Sequence, residues 1–340
     1  MDRGAAVAMM RPVRAAALLA AAVGLLGCGG APASAGPAPL VLERTIPLAG
    51  VKGRIDHLAI DPDGRRLFVA ELGNGSVEAI DLATGRSAGR IEGLKEPQGL
   101  GYLPSRGELV VATGGDGMVR FYRGSDLKAL GALKLGDDAD NVRVDHQTDR
   151  MVAVGYGKAL ALIDPASRAV ARTLPLPAHP EGFQMQGDRA FVNLPDAGAL
   201  AVLDLARGQQ TARWKNPGPH FNFPMAIDKG FQKIAVVYRL PAKLVIFDAA
   251  SGHVDQELGA CGDADDVFFN RDQNRLYVIC GAGAVDVFDR LATGYATGRR
   301  VQTRPGARTG LYSEKLDRLF VAARQNGAKD AAILVFRPAS

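Results

Sequence analysis

Cysteine is scarce in this chain, with three residues in 340, at Cys28, Cys261 and Cys280. No Cys-x-x-Cys or Cys-x-x-His pair accompanies them, so the spacing fits a structural zinc site poorly. Runs of lysine and arginine are missing as well. The 41 basic and 36 acidic side chains are interspersed, and without a clustered positive surface nucleic acid is not an expected partner. The sequence shows no strand-to-helix nucleophile elbow, no phosphate-binding glycine loop and no His-Glu-x-x-His segment. No nucleophile–base–acid series can be placed. What is abundant is turn material, 41 glycines and 19 prolines, within a composition that is 47% hydrophobic and 23% charged. That is the balance of a globular protein built from many tight turns.

One apolar run stands apart. MDRGAAVAMMRPVR carries Arg3, Arg11 and Arg14, and AAALLAAAVGLLG follows, ending at Cys28. The run is short for a membrane span and has the charge and length of a secretory signal. Its end, LLGC, resembles a bacterial lipoprotein box, which implies that Cys28 is lipidated and becomes the first residue. The alternative is an ordinary signal cleaved after a small residue, with Cys28 incidental. Residues 1–27 are therefore read as the signal peptide, and the Gly-, Ala- and Pro-rich residues 28–40 as a flexible tether. A lipid would hold the protein at a membrane without burying it there. Residue 29 is Gly rather than Asp. By resemblance to enteric lipoproteins this implies the outer membrane, facing the periplasm or the cell surface. An extracytoplasmic compartment permits a disulfide between Cys261 and Cys280; two separate thiols are the other possibility.

From Arg54 the chain settles into a rhythm. In RIDHLAIDPDGRRLFVAELGNGSVEAIDLATGRSAGRI, short apolar runs alternate with the turns DPDG, GNGS and ATGR, the pattern of a four-stranded antiparallel meander. Aligned on the first buried position, the unit recurs at Leu58, Leu100, Val142, Phe183, Met225, Val267 and Leu311, with spacings of 42, 42, 41, 42, 42 and 44 residues. Seven such units predict an all-β, seven-bladed β-propeller over 41–340. The modules run 52–93, 94–136, 137–177, 178–218, 219–261, 262–304 and 305–340. The last lacks an outer strand, and VLERTIP at 41–47 is a strand without a module. The first strand is expected to complete the last blade and close the ring. Asp81, Asp164, Asp204, Asp248 and Asp289 recur at the ends of third strands, where a carboxylate caps the following turn.

The segments LFVAELGNGSVEAIDLATG and RLYVICGAGAVDVFD resemble the YVTN-type β-propeller repeat family, and the resemblance covers 41–340. It implies the fold and a bacterial surface or periplasmic setting, and no single chemistry. The motif's Asn survives only at Asn193.

In a propeller the first strand of each blade lines the axial channel, so chemistry is sought where chain enters those strands. Two positions before the alignment anchor stand Asp56, Gln98, Asp140, Glu181, Phe223, Asp265 and Thr309. Four before it stand Arg54, Glu96, Asp138, His179, Phe221, Asp263 and Ala307; one before it, His57, Asn141 and Asp266 interrupt small residues. Ligand contacts are accordingly assigned to Arg54, Asp56, Gln98, Asp140, Glu181, Phe221, Phe223, Asp265 and Arg308. Crowded carboxylates raise one another's pKa or recruit a cation. A divalent cation, calcium or a transition metal, would draw on His57, His179, His220, Asn222, Asp263 and Asp266. The rival is a hydrated funnel whose carboxylates cap turns or pair with Arg54 and Arg308. Phe221 and Phe223 form either an apolar wall or a plug. Tyr238, Arg239, Leu240 and Arg324 belong to loops on the same face. His146 and His253 are ordinary surface residues. The expected function is binding of a small molecule, metal ion or extracytoplasmic protein at the acidic mouth. One alternative is a metal-dependent hydrolase. Glu181, Asn141, Asn222 and Asp265 match by type the channel set of calcium-dependent lactonase propellers, which are usually six-bladed. The other is a non-catalytic scaffold.

Overall fold

The computed structural model describes residues 38–339, apart from 62, 146, 147, 229 and 231. The signal peptide, Cys28, most of the tether and His146 lie outside the described residues. No helix among the described residues is long and apolar enough to cross a membrane.

Each sequence module folds as one antiparallel sheet, because most of its turns are two to five residues long and its apolar runs alternate. The described residues form seven four-stranded sheets. The inner strands, in blade order, are Leu58–Ile60, Pro97–Leu103, Val142–Val144, Phe183–Gln186, His220–Asp228, Ala264–Asn270 and Thr309–Ser313. Blade 7 continues through Arg318–Ala323 and Ala332–Pro338, and its outer place is filled by Leu40–Pro47. That strand pairs from Leu40 opposite Pro338 to Pro47 opposite Ala332, with a bulge between Leu42 and Arg44. The strand begins one residue before the predicted boundary, because Leu40 is buried between blades rather than left in the tether.

Second strands are apolar on both faces because each sheet is sandwiched between two others. Leu67, Phe68, Val69 and Ala70 all have no solvent exposure. Seven apolar clusters fill the seven gaps between successive blades. The gap between blades 7 and 1 joins Ile46, Phe320 and Ile333 to Leu58, Leu67 and Ile80. Each fully buried large side chain stabilises the ring by about 2–3 kcal/mol. At the axis the inner strands approach so closely that side chains must be omitted. A Cβ on Gly99 would lie 1.9 Å from the Asp140 carbonyl, and one on Gly182 would lie 2.4 Å from that of Phe223.

The turn-cap expectation holds at four of its five aspartates. Asp81 accepts from the Thr84 N–H at 2.8 Å, Asp164 from Ala166 at 2.8 Å, Asp204 from Arg207 at 2.7 Å and Asp248 from Ser251 at 2.9 Å. These bonds favour the ionised form and hold all four carboxyls below the usual range. Asp289 instead accepts from Arg275 at 2.9 Å and from Arg299 at 2.8 Å. Cys261 and Cys280 form a disulfide that ties the approach to the inner strand of blade 6 to the end of the second strand.

Candidate functional site

The acidic columns do converge on the axis, for a local reason. Inner strands of blades 2, 5 and 6 slip register just before the anchor, between Pro97 and Leu100, Asn222 and Met225, and Ala264 and Asp266. The slip lets two consecutive residues face the channel, where strict alternation would show only one. The channel encloses a cavity of about 30 Å³ lined by His57, Asn141, Arg143, Glu181, Phe223 and Asp265, among others. That is room for about two water-sized groups and excludes an organic molecule.

The carboxylates fall into two sets. On blades 6 and 1 they are paired, with Arg239 of blade 5 and Arg308 of blade 7 supplying two of the cations. Asp265 is gripped by Arg239 and by Arg308 at 2.7 Å, and Asp263 by Arg308 at 3.1 Å. Arg239 lies over the Phe223 ring, 3.7 Å from its centroid, and donates to the Ala264 carbonyl at 3.0 Å. Asp56 pairs with Arg54 at 2.8 Å. His57 sits between two acids, 3.8 Å from Asp56 and 3.6 Å from Asp266. Burial opposes its charge, but Asp266 first, then Asp56 and Asp140, overcome that and push its pKa up to about 10. Asp266 also accepts the Gly310 N–H at 2.8 Å, joining blade 6 to blade 7 while it holds the imidazolium of blade 1.

On blades 3 and 4 the two inner acids are unpaired. Neither Asp140 nor Glu181 has an ion-pair partner among the described residues. Burial, reinforced by the charge of Asp56 and only partly offset by His57, raises Asp140 to about 7. Burial and the charge of Asp265, partly offset by Arg239 and His57, raise Glu181 to about 7. Asp265 rises to about 6 by burial despite its two arginines. Beside them Asn141 is 3% exposed with its Oδ1 unpartnered, and Asp140 Oδ1 is unpartnered too. The carboxyls of blades 3 and 4 thus share protons with solvent near neutral pH, while the rest of the ring is fixed in ion pairs.

The six residues assigned to a metal do not come together, and no group of three or more His, Cys, Asp or Glu stands ready to hold an ion among the described residues. His220 is exposed, and His179 meets the Gly157 carbonyl at 2.9 Å and lies 3.9 Å from Asp138. Asn222 is fully buried; its amide donates to Asn193 Oδ1 and the Ala199 carbonyl, both at 3.0 Å, and accepts from Asn216 at 3.0 Å. It ties blade 4 to blade 5 and has no free oxygen. Gln98 reaches Asp138 at 3.3 Å on the rim. Phe223 forms the apolar wall of the cavity, whereas Phe221, 45% exposed with φ +62°, faces outward and neither lines nor plugs it.

Tyr238, Arg239 and Leu240 are the end of a strand, Lys233–Leu240, and not a loop; Tyr238 is core and donates to Asn216 Oδ1 at 3.2 Å. Arg324 and His253 are exposed. Two polar lining residues, Arg143 and Gln184, were not anticipated. Both stand one position after the anchor, on the same strand face as His57 and Asn141, and that two-residue period was the available signal. Arg143 donates to the Val142 carbonyl at 2.8 Å and lies 5.5 Å over the Phe183 ring. A second, open cleft of about 770 Å³ lies on the rim of blades 3 and 4, lined by Asp137, Asp138, Lys158, His179, Asp196 and Arg213 in part.

No family model matches the sequence, and no curated protein does. Solved structures do resemble it in fold. A chain of the Kuenenia stuttgartiensis hydrazine synthase superposes with a TM-score of 0.73 at 17% identity, over 86% of this chain and 99% of that one. A chain of the mitotic checkpoint complex gives 0.76 at 13% identity, over 88% and 92%. At such identities the likeness is one of fold alone.

Proposed function

We propose that the chain is an extracytoplasmic, lipid-anchored propeller of the YVTN type that binds a protein partner at its axial mouth. The observation that carries this reading is the split ring: carboxylates locked to arginines on one side, and Asp140 and Glu181 unpaired beside a buried, unsatisfied Asn141 on the other. Buried polar groups left open in this way are normally satisfied by something. The cavity has room for about two water-sized groups and not for a whole organic ligand, so it suits the tip of a side chain belonging to a larger molecule. The disulfide supports an oxidising compartment, and LLGC supports lipidation at Cys28.

A photo-crosslinking residue in place of Phe221 at the mouth, or of Ala166 in a turn on the opposite face, tests this in intact cells. A discrete adduct from the mouth position alone is expected. Adducts of equal yield from both positions, or from Ala166 only, would refute the placement. Replacing Cys28 by Ser should release the protein from the membrane fraction.

A further inference from the structure

We propose that the mouth recognises a lysine of its protein partner: the side-chain ammonium enters the axial cavity at Glu181 and Asn141, and the flanking backbone lies in the cleft between blades 3 and 4. The inference rests on the reading of the mouth as a partner site and names what that site takes. Three observations converge on it. The cavity holds about two water-sized groups, which suits a compact ammonium and is cramped for a planar guanidinium. An ammonium brings three N–H donors and no acceptor, and it meets an unpaired carboxylate, Glu181, next to an unsatisfied amide, Asn141, that is 3% exposed. The cleft, about 770 Å³ and open, carries Asp137, Asp138 and Asp196 interspersed with Lys158, His179 and Arg213, a mixed polar lining that suits an extended peptide backbone.

The competing charges are already engaged. His57 is held by Asp56 and Asp266, Arg239 and Arg308 by Asp263 and Asp265, and Arg143 by the Val142 carbonyl and the Phe183 ring. An entering cation therefore finds its free counter-charge at Glu181 and Asp140. Because burial keeps both carboxyls partly protonated near pH 7, the ammonium must displace protons as it binds. The groups facing this pair are Asp56, His57, Asp138, Arg143, Arg239 and Asp265, of which Asp265, raised to about 6, titrates at the lower end of that range.

The test uses the full chain in detergent and capped pentapeptides with a central lysine and randomised flanks, each synthesised also with acetyl-lysine; n-butylamine serves as a bare ammonium. Lysine peptides should bind, with acetyl-lysine counterparts weaker by about tenfold or more. Affinity should fall about tenfold per titrating carboxylate between pH 8 and pH 6. Glu181→Gln should cost about tenfold for peptides and amine alike. Asp196→Asn, an exposed change in the cleft, should weaken peptides and leave butylamine unaffected. Equal binding of lysine and acetyl-lysine peptides would overturn the proposal, as would no binding of any lysine peptide, or butylamine as tight as the peptides. A mouth-specific crosslink together with any of these results would leave the partner reading standing and remove only the lysine.

Discussion

Opening the Cys261–Cys280 bond should cost the fold a definite and modest amount. The two residues are 19 positions apart, and both sulfurs are buried, with residue exposures of 2% and 0%. Restoring the freedom of a loop of that length to the unfolded chain amounts to about 3 kcal/mol at room temperature by loop-closure entropy. Unfolding entropy for a domain of this size makes that a drop of about 5 °C in Tm. The native contacts of blade 6 do not depend on the bond: Ala264 pairs with Cys280 through the backbone, and the surrounding cluster contains Val267, Leu276, Val278 and Phe288. The assay compares oxidised protein with protein refolded in a phosphine reductant, by calorimetry and by urea titration, at matched pH. The reduced form should melt about 5 °C lower in one cooperative transition with the same urea slope. A loss of cooperativity, or no shift in Tm, would refute the reasoning: the first would make the bond a condition of blade 6 folding, the second would put the constraint in the unfolded chain already.

Three further outcomes follow from the geometry. Ile46→Ala, on the strand that closes the ring and 2% exposed, should cost about 3 kcal/mol in urea unfolding. Gly99→Ala places a methyl 1.9 Å from the Asp140 carbonyl and should destabilise by about 3 kcal/mol or more, with the loss read as a lowered Tm. Glu181→Gln should stabilise the protein above pH 7 and leave it unchanged at pH 4. The folded pKa of Glu181, about 7, lies above its ordinary 4.5, so the stability linked to its protonated form is present below 4.5 and lost as pH rises through 7. Gln stays neutral and avoids that loss, a gain of about 3 kcal/mol at pH 8. A variant that is instead weaker at pH 8 would mean that the carboxylate has a cationic partner.

The propeller was legible because its signals are local. A turn such as DPDG, an alternating run and a period near 42 residues fix each blade without knowledge of any other, and the missing outer strand of blade 7 pointed to residues 41–47, within one residue of the observed Leu40–Pro47. The acids of the ring were legible for the same reason, since equivalent positions of equivalent strands must share the axis. Their partners were not. Arg239 reaches Asp265 from a hairpin end in another blade, and no period predicts its rotamer. Asn222 looked like a ligand because it is polar among aromatics; its partners, Asn193 and Asn216, are 29 and 6 positions away, and only the folded ring brings them together. Which carboxylates stay unpaired is a property of such distant contacts, and so it emerged only from the structure.

Closure of the seventh blade by Leu40–Pro47 has a consequence for how the protein comes into being. The segment that seals the circle precedes blades 1 to 6 in the chain, and its pairing partner, Ala332–Pro338, follows them. Blades 1 to 6 can assemble before that partner has emerged, but the seal must wait for it. Nascent or truncated chains therefore carry an open edge strand, an invitation to proteases and to neighbouring copies, and this lets the cell distinguish finished molecules from unfinished ones.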